Sequence, residues 1–257
     1  TLTFGQFVKA IASFMAPILA AWGATANVFG MGWRILFPLY MSVGIVAILL
    51  LYATEIKEGA EEKTEKPLGV AAQFANALRL LGNPAVLLCF LAIVCHVGMD
   101  VGINITAPKV LMERLGITLE TAGFATSLYF IARTAGCLAG GFVMVRMKEW
   151  TFLLASIVLM LVALLMLFLG AEQWVLYASI VLLGLANSNP FSIIMARALQ
   201  AVPDKKNEAS GLMIMGLFGG TVFPLLMGAA SDSFGQAGAI AVLALGAFYL
   251  LFFWRMN

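Results

Sequence analysis

Charged residues are scarce in this sequence. They make up 11% of the 257 residues, whereas soluble domains carry about 25%, so the chain lacks the polar side chains that cover a water-facing surface. Its net charge of +2 is also far from the basic excess of a nucleic-acid-binding protein. This composition excludes a disordered chain, a soluble enzyme and a nucleic-acid partner.

Reactive and metal-binding side chains are equally few. The cysteines Cys89, Cys95 and Cys137 lie singly in apolar runs, and this spacing fits neither a disulfide framework nor a zinc site. With one histidine in the chain and no second carboxylate near Asp100, a metal site is not expected. No GxSxG, HExxH, Walker or kinase motif occurs. The sequence therefore predicts no catalytic residue, no metal and no cofactor.

Long apolar runs dominate the chain instead, which is 62% hydrophobic with a mean hydropathy of +1.00. The runs cover residues 10–33, 35–54, 80–106, 121–145, 151–170, 173–196, 209–231 and 233–254. Each is as long as the about 20 residues of a membrane-spanning helix, whereas a β-barrel strand has about 10 residues of alternating polarity. We predict an all-α polytopic membrane protein with eight transmembrane helices.

The charged segment 55–66 is predicted to belong to a solvated linker that separates the first two helices from the following six. The chain is thereby divided into a two-helix segment 1–54, a linker 55–83 and a six-helix segment 84–257. Cytoplasmic loops are enriched in Lys and Arg, and a cytoplasmic linker puts ten such residues inside and three outside. The inside residues are Lys57, Lys63, Lys66, Arg79, Arg146, Lys148, Arg197, Lys205, Lys206 and Arg255, and the outside ones are Arg34, Lys109 and Arg114. We therefore expect the linker 55–83 and the C-terminus to be cytoplasmic.

Polar side chains within the third span are candidates for a binding site. His96, Asp100 and Asn104 recur every four residues and so lie along one helix face, while Gly98 and Gly102 allow close helix approach. Polar groups inside a bilayer usually face the bundle interior or a water-filled cavity. We expect Asp100 to line a substrate cavity, whereas His96 and Asn104 fit a cavity or an interhelical contact equally well.

Arg133 interrupts the fourth span and needs a partner, because an arginine stays charged. It fits either a solute-binding role or a structural pair with Asp100. Counting at 1.5 Å per residue from Pro84 in the third span and from Thr121 in the fourth, within a core of about 30 Å, predicts an offset of about 12 Å between them along the membrane normal. That offset would weaken a permanent ion pair and leave room for a solute.

The sixth span is interrupted by Asn187-Ser188-Asn189-Pro190. Proline removes a backbone hydrogen bond, and broken helices often mark a transporter's binding site, so we expect Asn187 and Asn189 to line a cavity. Gln6 and Lys9, at the start of the first span, are further candidates for solute binding, although Lys9 could equally extend to the membrane interface.

Four stretches resemble the major facilitator superfamily, and most closely its fucose/glucose/galactose–proton symporter family. Leu2-Thr-Phe-Gly-Gln6 is similar to the start of that family's fifth helix, Cys95-His-Val-Gly-Met-Asp100 to its seventh-helix motif, and Ala132-Arg-Thr-Ala-Gly136 to the Gly-Arg motif of its eighth helix. The longest resemblance runs from Asn189-Pro-Phe-Ser192 through Glu208-Ala-Ser-Gly211 to Pro224-Leu-Leu-Met-Gly-Ala-Ala-Ser-Asp232, similar to helices ten and eleven.

The resemblance implies that the eight spans are helices five to twelve of a twelve-helix bundle, with the first four helices missing. It also implies that the main proton-coupling carboxylates, on helices one and four, lie outside this sequence. Two departures from the family pattern fall where sugar contacts are expected: His96 replaces an aromatic residue, and Lys9 stands where the family tends to carry Asn. The resemblance therefore leaves open a substrate other than a neutral hexose.

We predict a secondary active transporter, a monomer in the inner (plasma) membrane, that carries a small polar solute, a sugar first of all, with protons by alternating access. An organic-anion carrier with an electropositive cavity is an alternative. A non-transporting membrane scaffold is an alternative from another class.

Overall fold

A computed structural model of the chain describes residues 28–54 and 70–256, together with residues 12, 15, 18, 19, 22, 23 and 25. The ordered elements in these ranges are helices, without strands. The α-helices are α1 (Leu36–Ala53), α2 (Val70–Arg79), α3 (Pro84–Leu115), α4 (Leu119–Met144), α5 (Glu149–Leu169), α6 (Gln173–Ala186), α7 (Pro190–Ala201), α8 (Lys206–Met215) and α9 (Gly219–Met256). The predicted all-α class is confirmed.

Within the described ranges, six helical stretches are long and apolar enough to cross a membrane. The stretch Pro203–Met256 has 54 residues, about 80 Å at 1.5 Å per residue, which is more than twice the 30 Å of a bilayer core. Gly235 interrupts α9 with φ 61° and ψ −159°, close to the predicted boundary between residues 231 and 233. This stretch therefore holds two of the predicted spans. The first predicted span, 10–33, falls largely outside the described residues.

The third predicted span, 80–106, is displaced along the sequence relative to the helix that forms. Helix α3 begins at Pro84 because the Asn83 side chain accepts a hydrogen bond from the Ala85 amide at 3.0 Å, and proline is favoured in the first helical turn. It continues to Leu115, where Gly116 at φ 64° ends it in the left-handed conformation. The polar residues Lys109, Glu113 and Arg114 thus belong to the helix, and Asp100 lies near its middle.

The predicted interruption of the sixth span is confirmed. Helix α6 ends at Ala186 and α7 begins at Pro190, and Asn187 occupies the C-cap position with its backbone N–H donating to the Leu183 carbonyl. The two helices together still form one 29-residue apolar stretch, Gln173–Ala201. The bundle therefore contains a discontinuous helix whose break carries Asn187, Ser188 and Asn189.

Helix α3 lies at the centre of the bundle and packs most extensively on α9, with further contacts to α4 and α7. Gly98 makes the approach of α9 possible, because a Cβ there would lie 2.2 Å from the Phe223 ring. Gly102 has the same role, since its Cβ would lie 2.6 Å from the sulfur of Met227. This confirms the predicted close-packing surface. By contrast, no residue of α1 is buried.

Candidate functional site

Asp100 of α3 and Arg133 of α4 form a buried ion pair. The guanidinium donates from Nη1 to Asp100 Oδ1, and the side chains are 11% and 3% exposed respectively. The predicted offset of about 12 Å between these residues is therefore wrong. It counted from opposite faces of a core of about 30 Å, whereas α3 has 32 residues, about 48 Å, and extends to Leu115, close to the start of α4 at Leu119. Counted from the loop that joins the two helices, Asp100 and Arg133 lie about equally far along them.

Tyr129 and Asn187 complete a four-residue network around this ion pair. The Tyr129 hydroxyl donates to Asp100 Oδ1 at 2.6 Å, and the Asn187 amide donates to the same oxygen at 3.2 Å and to the Tyr129 hydroxyl at 2.8 Å. Tyr129 and Asn187 are both fully buried. The network therefore connects the middle of α3, the middle of α4 and the break after α6.

Local sequence explains why these side chains meet. Tyr129 and Arg133 are four residues apart and so project from one face of α4. Gly184, one turn before the helix break, lets α6 approach that face, because a Cβ on Gly184 would lie 2.4 Å from the Tyr129 carbonyl oxygen. The C-cap position of Asn187 then directs its amide toward Asp100. Spacing on α4 and one glycine on α6 together build the network.

The two oxygens of the Asp100 carboxylate differ in their surroundings. Oδ1 accepts three hydrogen bonds, from Tyr129, Arg133 and Asn187, whereas Oδ2 accepts none from the residues that the structure describes. Hydrogen bonds to a charged acceptor contribute about 1.5–3 kcal/mol each, and the adjacent guanidinium balances the negative charge. The arrangement holds an ionised carboxylate in place through one of its two oxygens.

The other predicted residues on α3 lie one turn on either side of Asp100. The ring of His96 is buried, with its centre 6.3 Å from that of Phe191 at the start of α7. Asn104 is half-buried and donates to the backbone carbonyl of Asp100 at 2.7 Å. Asn104 thus bonds the backbone of Asp100 and not its carboxylate, and it extends the polar face of α3 together with His96.

Asn189 lies at the same helix break but contacts a different part of α4. Its amide donates to the Gly136 carbonyl at 2.9 Å and to the Ser188 hydroxyl at 2.8 Å, so it ties the start of α7 to α4. The side-chain oxygens of Asn187 and Asn189 are buried and have no hydrogen-bond partner among the described residues. Gln6 and Lys9, the remaining predicted site residues, lie outside the described residues.

Sequence reasoning missed Tyr129. It stands in an apolar run and resembles an ordinary core aromatic, and the one available signal was its position a helical turn before Arg133. Across the part of the chain that the structure describes, no group of three His, Cys, Asp or Glu side chains could hold a metal ion.

Comparison with known proteins gives a family match and similar solved structures. The family model of the Major Facilitator Superfamily matches residues 89–257. The crystal structure of FucP, a transporter of that superfamily in the outward conformation, is 16% identical with a TM-score of 0.70, over 88% of this chain and 55% of that one. The structure of an E. coli fucose:proton symporter FucP variant is 18% identical with a TM-score of 0.76, over 99% of this chain and 67% of that one. No curated protein sequence matches the chain.

These likenesses at 16% and 18% identity establish a shared fold. The chain spans little more than half the length of the first of the two transporters.

Proposed function

Because this chain belongs to the Major Facilitator Superfamily, we propose that it forms part of a secondary active transporter that carries a small polar solute with protons by alternating access. The sugar and the proton enter this proposal from the fucose:proton symporter whose structure is similar. Since the chain spans about half of the first similar structure, the activity is proposed for the whole protein and not for these helices alone.

The observation that carries the proposal is the buried network of Asp100, Arg133, Tyr129 and Asn187. A charged side chain at the centre of a membrane helix costs about 2.5–3.5 kcal/mol by insertion scales, so charges there usually serve a function. The network also lies at a discontinuous helix, the feature that most often marks the binding site of a carrier. Polar groups at the middle of the bundle are what a solute crossing it would bind.

The charge balance of the network favours a neutral solute over an organic anion. Arg133 is paired with Asp100, so its positive charge is already compensated, and an anion would have to displace the carboxylate. Asp100 Oδ2 and the side-chain oxygen of Asn187 are hydrogen-bond acceptors, which suit the hydroxyl groups of a sugar. The organic-anion alternative rests on an electropositive cavity formed by Arg133, His96 and Lys9, of which Lys9 lies outside the described residues.

Within this proposal we assign a role to each site residue. Asp100 and Asn187 accept hydrogen bonds from the solute, and Arg133 fixes the carboxylate that does so. His96, Asn104 and Asn189 contribute polar surface on either side, and Gln6 and Lys9 contribute from the preceding half. Tyr129 acts as a positioning residue, because its hydroxyl bonds both Asp100 and Asn187.

The proposal includes a topology for the protein. Residues 1–54 are the last two helices of the N-terminal half, 55–83 the linker and 84–257 the C-terminal half, as the charge distribution predicts. The linker and the C-terminus are cytoplasmic, and the protein is a monomer in the inner (plasma) membrane.

Transport by the whole protein in liposomes tests the proposal. A panel of neutral sugars, including fucose, and of organic anions is offered with and without an inward proton gradient, and uptake is measured. We expect uptake of a neutral sugar that the gradient stimulates, and loss of that uptake in Asp100→Asn. Asp204→Asn, a matched change at an exposed carboxylate between α7 and α8, should leave uptake unchanged.

Two results would count against the proposal. Uptake of an organic anion that depends on Arg133 would favour the electropositive carrier. A folded protein that takes up no solute, with Asp100→Asn lowering only its thermal stability, would favour the membrane scaffold.

A further inference from the structure

A polar cavity of about 430 Å³ lies at one end of the bundle, away from the four-residue network. It is formed where the start of α5 meets one face of α7, from Ile193 to Gln200. Its walls are Lys148, Glu149, Trp150, Ile193, Arg197 and Gln200. The cavity therefore combines two basic side chains, one carboxylate and one amide with an aromatic and an aliphatic wall.

The two basic side chains in this cavity are not paired with acidic ones. Among the residues that the structure describes, no carboxylate lies within 4.0 Å of the Lys148 ammonium or the Arg197 guanidinium. Glu149 shares the cavity without reaching either of them. The Arg197 guanidinium lies over the Trp150 ring, 6.0 Å from the ring centre, a cation–π arrangement that orients the guanidinium without neutralising it. The cavity thus presents two basic side chains that form no ion pair among the described residues, and with Glu149 its formal charge is +1.

The cavity also lies near the ends of two membrane-length helical stretches, which is where lipid headgroups are expected. Helix α5 begins at Glu149 and α7 ends at Ala201, so the ends of two apolar helical stretches meet there. Trp150 is anchored by its backbone carbonyl, which accepts a hydrogen bond from Trp254 Nε1 of α9 at 3.0 Å. Tryptophan is enriched at this depth, where its ring lies among headgroups. Basic pockets between membrane helices bind acidic lipid headgroups.

We propose that this cavity binds the phosphate of an anionic phospholipid headgroup, with Lys148 and Arg197 as its ligands. Arg197 can donate two parallel hydrogen bonds to phosphate oxygens, and Lys148 adds a point charge. The Trp150 ring and Ile193 contact the glycerol and the first carbons of the acyl chains. This site is separate from the proposed transport site, and the proposal of a lipid site does not rest on the proposed transport function.

Thermal unfolding of the whole protein in detergent tests the site with defined lipids. Phosphatidylglycerol should raise the unfolding temperature in a concentration-dependent way, since a ligand that binds only the folded state stabilises it. Neutral phosphatidylcholine and inorganic phosphate should have no comparable effect. Stabilisation by inorganic phosphate equal to that by phosphatidylglycerol would overturn the assignment of the site to a lipid.

Charge variants then locate the site. Lys148→Gln and Arg197→Gln should each weaken phosphatidylglycerol binding about fivefold, from the contribution expected of one basic residue near an acidic lipid. The matched control is Lys205→Gln with Lys206→Gln, which removes two exposed charges from the same end of the bundle but outside the cavity. Equal losses in the cavity variants and in the control would overturn the site, because they would indicate diffuse surface attraction.

Native mass spectrometry gives an independent readout that does not depend on unfolding. The unaltered protein should retain one phosphatidylglycerol more tightly than the Lys148→Gln and Arg197→Gln variants do. Glu149→Gln removes the one carboxylate of the cavity and should tighten binding. A Glu149→Gln variant that binds the lipid more weakly than the unaltered protein would contradict an electrostatic site, as would full retention by the Arg197→Gln variant.

Discussion

The Tyr129 hydroxyl donates to Asp100 Oδ1 at 2.6 Å while it accepts a hydrogen bond from the Asn187 amide at 2.8 Å. This hydroxyl therefore connects the middle of α3 to the break between α6 and α7 through a single oxygen atom. A buried hydroxyl that both donates and accepts a hydrogen bond has a partner for each of these roles. Chains of such hydrogen bonds strengthen one another in a low-dielectric interior. Tyr129 therefore couples the Asp100 carboxylate to the discontinuous helix through hydrogen bonds.

Tyr129→Phe should destabilise the bundle although it preserves the ring. The change removes a donor from Asp100 and an acceptor from Asn187, and a buried polar group left unpaired costs about 1–3 kcal/mol. Thermal unfolding and solute affinity are the measurements. Tyr249→Phe is the matched control, because that hydroxyl donates one longer bond of 3.3 Å to the Leu88 carbonyl at a half-buried position. A larger loss of stability in Tyr249→Phe would contradict the importance of the network.

Asp100→Asn and Arg133→Gln should each lower the free energy of unfolding. The double variant should lose less stability than the sum of the two single losses. Removing one partner of a buried ion pair leaves an uncompensated charge, which costs about 3–5 kcal/mol, whereas the double variant restores neutrality. Unfolding free energies of the four proteins give the coupling energy, and contacting residues typically show about 0.5–3 kcal/mol. Arg133→Gln combined with the exposed Asp204→Asn is the control and should be additive. Additive effects in the Asp100 and Arg133 cycle would mean that the two charges act separately.

The membrane fold could be predicted because apolar run length is a property of the sequence alone. Asp100 and Arg133 were recognisable for the same reason, since single charges stand out in uncharged runs. The break at Pro190 was recognisable because proline interrupts helical hydrogen bonding wherever it lies.

The contacts between helices could not be predicted in this way. Whether Asp100 and Arg133 meet depends on where α3 and α4 begin and end, and α3 extends beyond its apolar run to Leu115. The role of Tyr129 depends on the same register, because one residue of rotation would turn its hydroxyl away from α3. Apolar run lengths contain no information about either quantity.

Gly184→Ala should separate α6 from α4. The added Cβ would lie 2.4 Å from the Tyr129 carbonyl oxygen, a backbone atom that cannot move without shifting α4. Overpacking of this kind costs about 1–3 kcal/mol, and we expect both a lower unfolding temperature and weaker solute binding. Gly123→Ala, on α4 with no atom within 4 Å of its added Cβ, should be neutral or stabilising, because alanine favours helix. Equal stability of the two variants would contradict the close approach.

The orientation of the chain can be tested by labelling cysteines with a membrane-impermeant reagent in intact cells. We expect Gly59→Cys, in the linker, to be protected and Ala171→Cys, exposed between α5 and α6, to be labelled. The unaltered protein is the control for background, since Cys89 and Cys137 are buried and Cys95 is half-buried. Labelling of Gly59→Cys without labelling of Ala171→Cys would reverse the topology that the Lys and Arg distribution predicts.

Arg114→Ala should weaken the end of the bundle opposite the lipid cavity. Arg114, in the last turn of α3, donates to the carbonyl oxygens of Leu167, Phe168 and Gly170, which are the unpaired acceptors at the C-terminal end of α5. Hydrogen bonds from a charged donor contribute about 1.5–3 kcal/mol, so the loss should lower the unfolding temperature clearly. Lys109→Ala, an exposed cation on the same helix, is the control and should have little effect. Arg114→Lys should recover only part of the stability, because one ammonium group lacks the guanidinium fork that reaches three carbonyls. Full recovery by lysine would mean that the charge alone, acting on the helix dipole, accounts for the contact.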